Sequence, residues 1–297
     1  MLKIAIFGGT GLLGSNLMKL YDSYDCRAFS RKSSINIEDD SNFIIDFSKL
    51  EESLRTIFEH WQPDIIINTV ALVNLQKCED DYPLAFEANV SIAYQLAEIA
   101  KKYGSYFIHV STDHYYHDSQ LKHNEMAAIV LKNNYAKSKR EAELVVKKAY
   151  NQSLIVRTNI IGFRKNGKDS FFEWLLKSLQ KQDEISMYNN FYTSPISVKQ
   201  LGEILIQCYY KQLRGIYNIA ACDVINKYDF AIKTAEIFQL SAQNIKAIKL
   251  INNKKQVRRA LTLGLDCKKI SKDLNLAMPT IDETLKYLYN EYTQQHE

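Results

Sequence analysis

Three residues near the middle of the chain have the types and spacing needed to protonate a carbonyl oxygen. Tyr135 and Lys139 are four residues apart, so a helix would present both side chains on one face. A phenol can supply a proton, and a nearby ammonium lowers its pKa from an ordinary value of about 10. Thr112 follows the apolar run Tyr106–Ser111 and could hydrogen-bond the same oxygen as negative charge develops there. These residue types suit the reduction of a ketone, in which a hydride reaches carbon while a proton reaches oxygen.

A glycine-rich loop at the N-terminus predicts a dinucleotide site. The apolar strand Lys3–Phe7 runs directly into Gly8-Gly9-Thr10-Gly11-Leu12-Leu13-Gly14, and a helical pattern follows. In this context the glycines permit a tight turn, close approach of the backbone to a pyrophosphate and close packing of helix on strand. The N–H groups at the start of the helix are then available to phosphate oxygens. The predicted cofactor-binding residues of this loop are Gly8, Thr10, Gly11, Leu12, Leu13 and Gly14.

The end of the second predicted strand favours NADP(H) over NAD(H). An NAD site usually has Asp or Glu there, bonded to the ribose 2′-hydroxyl, whereas this strand ends in Ser30, Arg31 and Lys32. These side chains could bind a 2′-phosphate. Asp46 and Phe47, at the end of the third strand, are predicted beside the adenine, although a solvent-facing loop suits Asp46 almost as well. We therefore expect NADPH, with NADH left open, and we expect Tyr135 and Lys139 beside the nicotinamide ribose.

Short apolar strands that alternate with amphipathic helices must position these residues. The pattern is typical of a parallel sheet covered on both faces, which is a Rossmann-type doubly wound α/β fold. The predicted strands are Lys3–Phe7, Cys26–Phe29, Phe43–Ile45, Ile65–Thr69, Tyr106–Ser111, Leu154–Arg157 and Gly215–Ala220. The predicted helices are Gly11–Tyr21, Leu50–His60, Pro83–Tyr103, Tyr135–Ala149, Ser170–Gln180, Val198–Leu213, Lys227–Phe238 and Asp282–Thr293.

The change of pattern in the second half predicts a second, smaller lobe. We expect residues 1–162 to form the NADP(H)-binding Rossmann domain, with residues 196–221 returning to it. Residues 163–195 and 222–297 are expected to form a discontinuous α/β substrate lobe toward the C-terminus.

The amino-acid composition and net charge argue against nucleic acids and membranes as partners of this chain. The chain has 297 residues, of which 46% are hydrophobic and 24% charged, as in a folded globular protein. The net charge of +4 comes without a basic stripe interleaved with aromatics, so nucleic-acid binding is not predicted. A basic group at Lys254, Lys255, Arg258 and Arg259 is either solvated surface or an anion site. No apolar run approaches the roughly 20 residues of a membrane span, so no membrane contact is predicted.

Cysteine and histidine spacings do not predict a metal site. The five cysteines are scattered and have neither zinc-site nor redox-pair spacing, which indicates a reducing, cytoplasmic compartment. His114 and His117 flank Tyr115-Tyr116 without a matching acidic or cysteine partner, so we expect a loop lining a cleft and no metal.

These motifs resemble the extended short-chain dehydrogenases/reductases, and more narrowly the dTDP-4-dehydrorhamnose reductase family of sugar-nucleotide reductases. The resemblance runs through almost the whole chain. It is carried by the glycine loop, Pro63-Asp64-Ile65-Ile66-Ile67-Asn68, Cys78-Glu79, Asn89, Val110–Asp113, Tyr135–Lys139, Arg157-Thr158, Ser194-Pro195 and the segment from Arg259 to Lys269. It implies NADPH-dependent reduction of a nucleotide-linked 4-keto-6-deoxy sugar for deoxysugar or cell-surface polysaccharide biosynthesis.

The resemblance also implies roles for particular residues. Thr112, Tyr135 and Lys139 would be the catalytic triad, Val70 and Ala71 would lie beside the cofactor, and Asn89 would support the structure. The sugar nucleotide would contact residues 159–163 and the positions Asn159, Ser194, Pro195 and Arg259. Asp113, next to Thr112, is expected either at the substrate or in a capping or positioning role.

Departures from the family pattern leave the sugar unspecified. His114-Tyr115-Tyr116 stands where Tyr-Val-Phe is usual, Asn159-Ile160 where Ser-Trp is common, and Ala260 where a proline follows the arginine. Two other functions stay open: an epimerase or dehydratase with tightly held NAD, and a dinucleotide-binding regulatory protein like the regulatory subunit of methionine adenosyltransferase. A homodimer through helices such as Pro83–Tyr103 and Tyr135–Ala149 is also left open.

Overall fold

The computed structural model of the chain describes residues 1–31, 41–116, 120–164, 167–252 and 256–296. Its strands are β1 Lys3–Phe7, β2 Asp25–Ser30, β3 Asn42–Ile44, β4 Ile65–Asn68, β5 Tyr106–Val110, β6 Lys122–His123, β7 Leu154–Arg157, β8 Ile160–Ile161, β9 Ile185–Tyr188, β10 Tyr192–Thr193, β11 Ile196–Ser197, β12 Gly215–Asn218, β13 Ile225–Asn226, β14 Ile245–Ile248 and β15 Gly264–Leu265. Its α-helices are α1 Leu12–Leu20, α2 Leu50–His60, α3 Leu75–Asp80, α4 Tyr82–Phe86, α5 Ile92–Tyr103, α6 Asn134–Ala149, α7 Phe171–Lys181, α8 Val198–Tyr210, α9 Lys227–Ile237, α10 Lys268–Leu274 and α11 Ile281–His296.

A parallel sheet forms the centre of the fold. Among the described residues, seven strands hydrogen-bond in the order β12-β7-β5-β4-β1-β2-β3. Residue Ile4 of β1 is paired with Cys26 of β2 on one side and with Ile65 of β4 on the other, both in parallel register. The side chains of Ile4–Phe7 and Ile65–Ile67 are fully buried, because helices cover both faces of such a sheet. The predicted Rossmann-type α/β fold is confirmed.

The chain divides into two compact units. Unit 1 comprises Met1–Thr112, Asn133–Arg157 and Ile204–Ile216, and unit 2 comprises Asp113–Lys132, Thr158–Glu203 and Tyr217–Glu297. Within unit 1, aromatic rings fill much of the core, where Phe7 stacks on Phe29 with ring centroids 4.8 Å apart. Within unit 2, helices α7, α9 and α11 and strand β9 contribute a second core that includes Phe172, Phe230 and Leu285.

The observed units differ from the expected domains in four stretches, 113–132, 158–162, 196–203 and 217–221, and strand pairing accounts for the first three. Residues 113–132, expected in the first domain, lie in unit 2, where β6 pairs with β15. Residues 158–162 and 196–203 also lie in unit 2, because β8 pairs there with β11. The segment that returns to unit 1 is therefore 204–216 instead of 196–221.

The single helix expected over Pro83–Tyr103 is divided. Its first part is α4, its last part is α5, and the intervening Glu87–Ser91 is π-helical. The wider turn contains Asn89, which is fully buried: its Oδ1 accepts from Leu72 N at 2.6 Å and its Nδ2 donates to Ser138 Oγ at 2.9 Å. The supporting position of Asn89 thus ties the loop after β4 to α6.

Other local expectations were incomplete. The third strand ends at Ile44 and not at Asp46, because Asp46 caps the 3₁₀ turn Phe47–Lys49. Helix α10 and the short strands of unit 2 are not among the elements predicted from the sequence. Among the described residues, no helix combines the length and the apolar character needed to cross a membrane.

Candidate functional site

The glycine loop of unit 1 joins β1 to α1 in the geometry expected for phosphate binding. Gly8 has φ of +91°, and its carbonyl oxygen accepts from Gly11 N at 2.9 Å. A Cβ on Gly14 would lie 2.3 Å from that carbonyl oxygen, so the loop and helix approach too closely for any side chain. Gly11 is the N-cap of α1 and has no side chain to bond the first N–H groups, which therefore remain available to a ligand.

A cavity of about 560 Å³ lies within unit 1 at the ends of β2 and β3. Arg31 lines it, and so do Asp46 and Phe47, three of the residues predicted to bind the adenosine end of the cofactor. Ser48 donates to Asp46 Oδ1 through its backbone N–H at 2.9 Å and its hydroxyl at 2.6 Å, which lowers the pKa of Asp46. The two bonds from Ser48 fix the Oδ1 side of the Asp46 carboxylate. Phe47, the next residue, is buried. Ser30 is half-buried at the end of β2, and Lys32 lies outside the described residues.

The loop after β4 places Val70 and Ala71 at the carboxyl end of the sheet. Both residues are partly exposed. Val70 N donates to Asn68 Oδ1 at 3.0 Å, which leaves Asn68 Nδ2 to donate to His109 Nδ1 at 3.1 Å. The two strand ends, β4 and β5, are therefore held together by side chains as well as by the sheet.

Helix α6 carries Tyr135 and Lys139. Its N-cap is Asn133, whose side chain accepts from Ala136 N at 2.8 Å and so fixes the first turn, where Tyr135 lies. Lys139 is 1% exposed and donates from Nζ to the carbonyl oxygen of Val110 at 2.8 Å. Burial lowers the pKa of Lys139 to about 8, and the Glu143 carboxylate opposes that shift. Because Val110 is two residues before the buried Thr112, unit 1 brings α6 and the end of β5 together.

A buried charge network beside these residues was missed by the sequence analysis. Glu143 and Arg157 are each 1% exposed and form a two-point ion pair, with Nε to Oε1 at 2.9 Å and NH2 to Oε2 at 2.8 Å. Ser111 and Arg140 also donate to the Glu143 carboxylate. Glu143 follows Lys139 by four residues, as Lys139 follows Tyr135, and this repeated spacing was the available signal.

Unit 2 contains its own cluster of polar groups. Asp113 is 1% exposed, and its Oδ2 accepts from Asn159 Nδ2 at 2.7 Å while His114 Nε2 lies 3.8 Å from Oδ1. Burial raises the pKa of Asp113, and the charges of His114 and Lys227 together with the Asn159 bond oppose this. The bond from Asn159 fixes one oxygen of the Asp113 carboxylate.

Lys227, predicted from the sequence only as the first residue of a helix, belongs to the same cluster. Its ammonium lies over the ring of Phe171, 4.4 Å from the centroid. Desolvation lowers the pKa of Lys227 to about 8, with Asp113 opposing the shift and Arg259 adding to it. Arg259 is partly exposed, and its backbone is held on both sides by the Asn252 side chain at 3.0 Å. Lys227 therefore lies near the buried Asp113 carboxylate, and Arg259 lies near Lys227.

Ser194 and Pro195 are buried inside unit 2. The Ser194 hydroxyl accepts from Leu265 N at 2.9 Å, and its carbonyl oxygen accepts from Ala221 N at 3.3 Å. A direct bond from this hydroxyl to a ligand would have to coexist with the Leu265 bond.

In the described ranges no group of three or more His, Cys, Asp or Glu side chains is placed to hold a metal ion, and His117 lies outside those ranges.

The parallel sheet and the glycine loop between β1 and α1 define a Rossmann-type α/β protein, and together with Tyr135 and Lys139 on α6 they are typical of the extended short-chain dehydrogenases/reductases. The model of the RmlD substrate binding domain family matches residues 2–294, and the chain belongs to that family. It is 28% identical to spore coat polysaccharide biosynthesis protein SpsK of Bacillus subtilis over 80% of this chain and 79% of that protein. It is 24% identical to dTDP-4-dehydrorhamnose reductase of Escherichia coli K12 over 98% of both chains.

The fold is also similar to a solved structure. The crystal structure of dTDP-4-dehydrorhamnose reductase from Bacillus anthracis in complex with NADP superposes with a TM-score of 0.85, at 22% sequence identity, over 98% of this chain and 99% of that one.

Proposed function

We propose that this chain is an NADPH-dependent oxidoreductase that reduces a nucleotide-linked 4-keto-6-deoxy sugar, of the dTDP-4-dehydrorhamnose type, for deoxysugar or polysaccharide biosynthesis. The observation that carries the proposal is the position of Lys139, which is buried one turn after Tyr135 and bonded to the strand end that carries Thr112. The family match and the named reductase relatives support the substrate class.

The residues of unit 1 fit NADPH. The glycine loop, with Gly8, Thr10, Gly11, Leu12, Leu13 and Gly14, would hold the pyrophosphate, because the N-cap Gly11 leaves the first N–H groups of α1 without a side-chain cap. Arg31, with Ser30 and Lys32, would bind the 2′-phosphate, and β2 ends without a carboxylate that would repel it. Asp46 and Phe47 would contact the adenine, and Val70 and Ala71 would lie beside the nicotinamide half.

The roles of the chain's own residues in the reaction follow from their chemistry. NADPH, when bound, supplies the hydride. Tyr135 donates its phenolic proton to the keto oxygen, and Lys139 as an ammonium stabilises the phenolate that is left. Thr112 donates a hydrogen bond to the same oxygen and so stabilises the charge that develops on it. The Val110 carbonyl accepts one proton of Lys139 Nζ, and the two remaining protons would bond Tyr135 and the nicotinamide ribose.

The polar cluster of unit 2 supports binding of an anionic sugar nucleotide. Arg259 would bind the diphosphate, and Asn159 would contact the sugar while it holds Asp113 in place. Ser194 and Pro195 would shape the backbone of this pocket from the interior of the unit.

The five cysteines all lie within described residues and are free, which suits a reducing cytoplasm. A homodimer is the assembly we propose for the chain.

The experiment that tests the function follows NADPH oxidation by absorbance with a panel of 4-keto-6-deoxy sugar nucleotides. We expect turnover on one of them by the wild type and by Tyr210→Phe, a control at an exposed tyrosine, and no detectable turnover by Tyr135→Phe. Near-normal turnover by Tyr135→Phe would contradict the assignment of Tyr135 as the proton donor. NAD that co-purifies with the protein, without net NADPH oxidation, would instead identify an epimerase or a dehydratase.

A further inference from the structure

A buried carboxylate of unit 1 lies one helical turn beyond Lys139 and has no part in the chemistry proposed above. Glu143 Oε1 accepts from Ser111 Oγ at 2.8 Å and from Arg157 Nε at 2.9 Å. Its Oε2 accepts from Arg157 NH2 and from Arg140 NH1, both at 2.8 Å. Burial raises the pKa of Glu143, but its bonds to Arg157, Ser111 and Arg140 outweigh burial, so the pKa is lowered and the group is ionised at neutral pH.

The charged and titratable groups near Lys139 lie on α6, β5 and β7, and Cys78 of α3 and Tyr82 of α4 pack against the same helix at Tyr135. On α6 they are Tyr135, Arg140 and Glu143; β7 contributes Arg157, and β5 contributes His109. Burial, followed by the charge of Lys139, holds the pKa of His109 well below its usual range, so His109 is neutral. In this set the cations are Lys139, Arg140 and Arg157, and the ionised carboxylate is Glu143.

We propose that Glu143 is a positioning residue of this site. Its charge keeps the buried Lys139 ammonium protonated, and its bond to Ser111 fixes the strand end that carries Thr112. The catalytic consequence rests on the proposed function, whereas the effect on Lys139 rests on the geometry of unit 1 alone.

The ion network has a geometry that suits this role. A lysine that is 1% exposed loses most of its hydration, and a lone buried ammonium would release its proton at neutral pH. Residues at i and i+4 of a helix have Cβ atoms about 6 Å apart, and two charges at about that separation in an effective dielectric constant of about 20 change a pKa by about one to two units. Arg157 and Ser111 keep that carboxylate ionised and fixed in place.

The strand end is fixed by the same network. Ser111 bonds Glu143 through its hydroxyl and the carbonyl of Val156 through its backbone N–H, at 2.8 and 2.7 Å. Lys139 bonds the carbonyl of Val110, the residue before Ser111. Two consecutive residues of the chain that leads to Thr112 are therefore held by α6.

The experiment measures the pKa of Lys139 directly by ¹³C NMR in protein labelled at lysine Cε, with the Lys139 signal assigned by its loss in Lys139→Arg. Wild type is compared with Glu143→Gln, which removes the charge, and with Glu143→Asp, which keeps it. The matched control is Glu141→Gln, because Glu141 lies on the same helix but accepts from Tyr82 at 2.6 Å. Thermal unfolding verifies that each variant is folded.

We expect the pKa of Lys139 to fall by about one to two units in Glu143→Gln and to stay within about half a unit of wild type in Glu143→Asp and Glu141→Gln. If Glu143→Gln does not fold, Glu143→Gln combined with Arg157→Met removes the carboxylate without leaving a buried guanidinium unpaired. A smaller fall is expected there, because the loss of the Arg157 charge opposes the loss of the Glu143 charge. Equal shifts in the Gln and Asp variants, or no shift in either, would overturn the proposal.

A kinetic readout links the network to turnover. With an active keto sugar nucleotide, the alkaline limb of kcat/KM should move to lower pH in Glu143→Gln by the same amount as the Lys139 pKa. If no sugar nucleotide is reduced, the proposed function fails, but the NMR titration still decides the role of Glu143.

Discussion

Replacing Gly14 by alanine tests the close approach on which the proposed cofactor site depends. The added Cβ would lie 2.3 Å from the Gly8 carbonyl oxygen and 2.9 Å from Gly9 Cα. Carbon and oxygen atoms approach comfortably to about 3.3 Å, so the loop or the helix has to move by about 1 Å. Overpacking of this kind costs about 1–3 kcal/mol. Because the atoms that must move belong to the loop proposed to hold the pyrophosphate, we expect the Kd for NADPH to rise about tenfold to a hundredfold.

Isothermal titration with NADPH and thermal unfolding together measure this effect. Gly104→Ala is the matched control, because Gly104 caps α5 with φ of +67° and a Cβ there meets nothing within 4 Å. It should cost about 1 kcal/mol of backbone strain and lower Tm, but leave the Kd for NADPH unchanged.

Two results would refute the reasoning. Gly14→Ala that unfolds at a lower Tm but binds NADPH as the wild type does would show that this loop does not hold the cofactor. Gly14→Ala with unaltered Tm and Kd would show that the close contact with Gly8 is relieved without cost.

Three further predictions concern the charged groups. The kcat/KM for the keto sugar should be full below about pH 8 and fall as the pH rises further, because the Lys139 ammonium is present below its pKa of about 8; an alkaline limit near pH 10 or higher would contradict this. Arg157→Met leaves the Glu143 carboxylate buried without its two-point partner, so urea unfolding should show a loss of about 3–5 kcal/mol, and a loss under about 1 kcal/mol would refute the pairing. Arg31→Ala should raise the Kd for NADPH about tenfold or more while that for NADH stays the same; equal losses for both would exclude a 2′-phosphate contact.

Features that depend on short-range spacing could be predicted from the sequence. The run from Lys3 to Gly14 specifies a strand, a turn and a helix within one stretch, so the loop needs no knowledge of distant residues. The near-continuous apolar strands likewise indicated a parallel sheet, because burial on both faces leaves no alternation of polar positions. Tyr135 and Lys139 could be placed on one helix face because they are four residues apart in the sequence.

Features that depend on distant partners could not be predicted. Glu143 and Arg157 resemble the charged residues of any solvated surface until the fold brings α6 against β7 and buries both. Lys227 gave no signal, since its neighbours Asp113 and Phe171 are far away in the chain.

A local competition also escaped prediction. Asp46 was expected to end β3, but the bonds from Ser48 to its side chain favour a 3₁₀ turn, and such a competition does not change the spacing of hydrophobic residues.

The order in which strands enter the central sheet has a consequence for synthesis of the chain on the ribosome. The edge strand β12 neighbours β7, yet its first residues belong to the last segment of unit 1, Ile204–Ile216. A nascent chain therefore has β1 to β7 available long before that edge can be covered. An uncovered strand edge is a template for pairing with other chains. Translation that stops before this segment should leave β7 open, so such truncated products are the forms expected to aggregate or to be captured by chaperones and proteases.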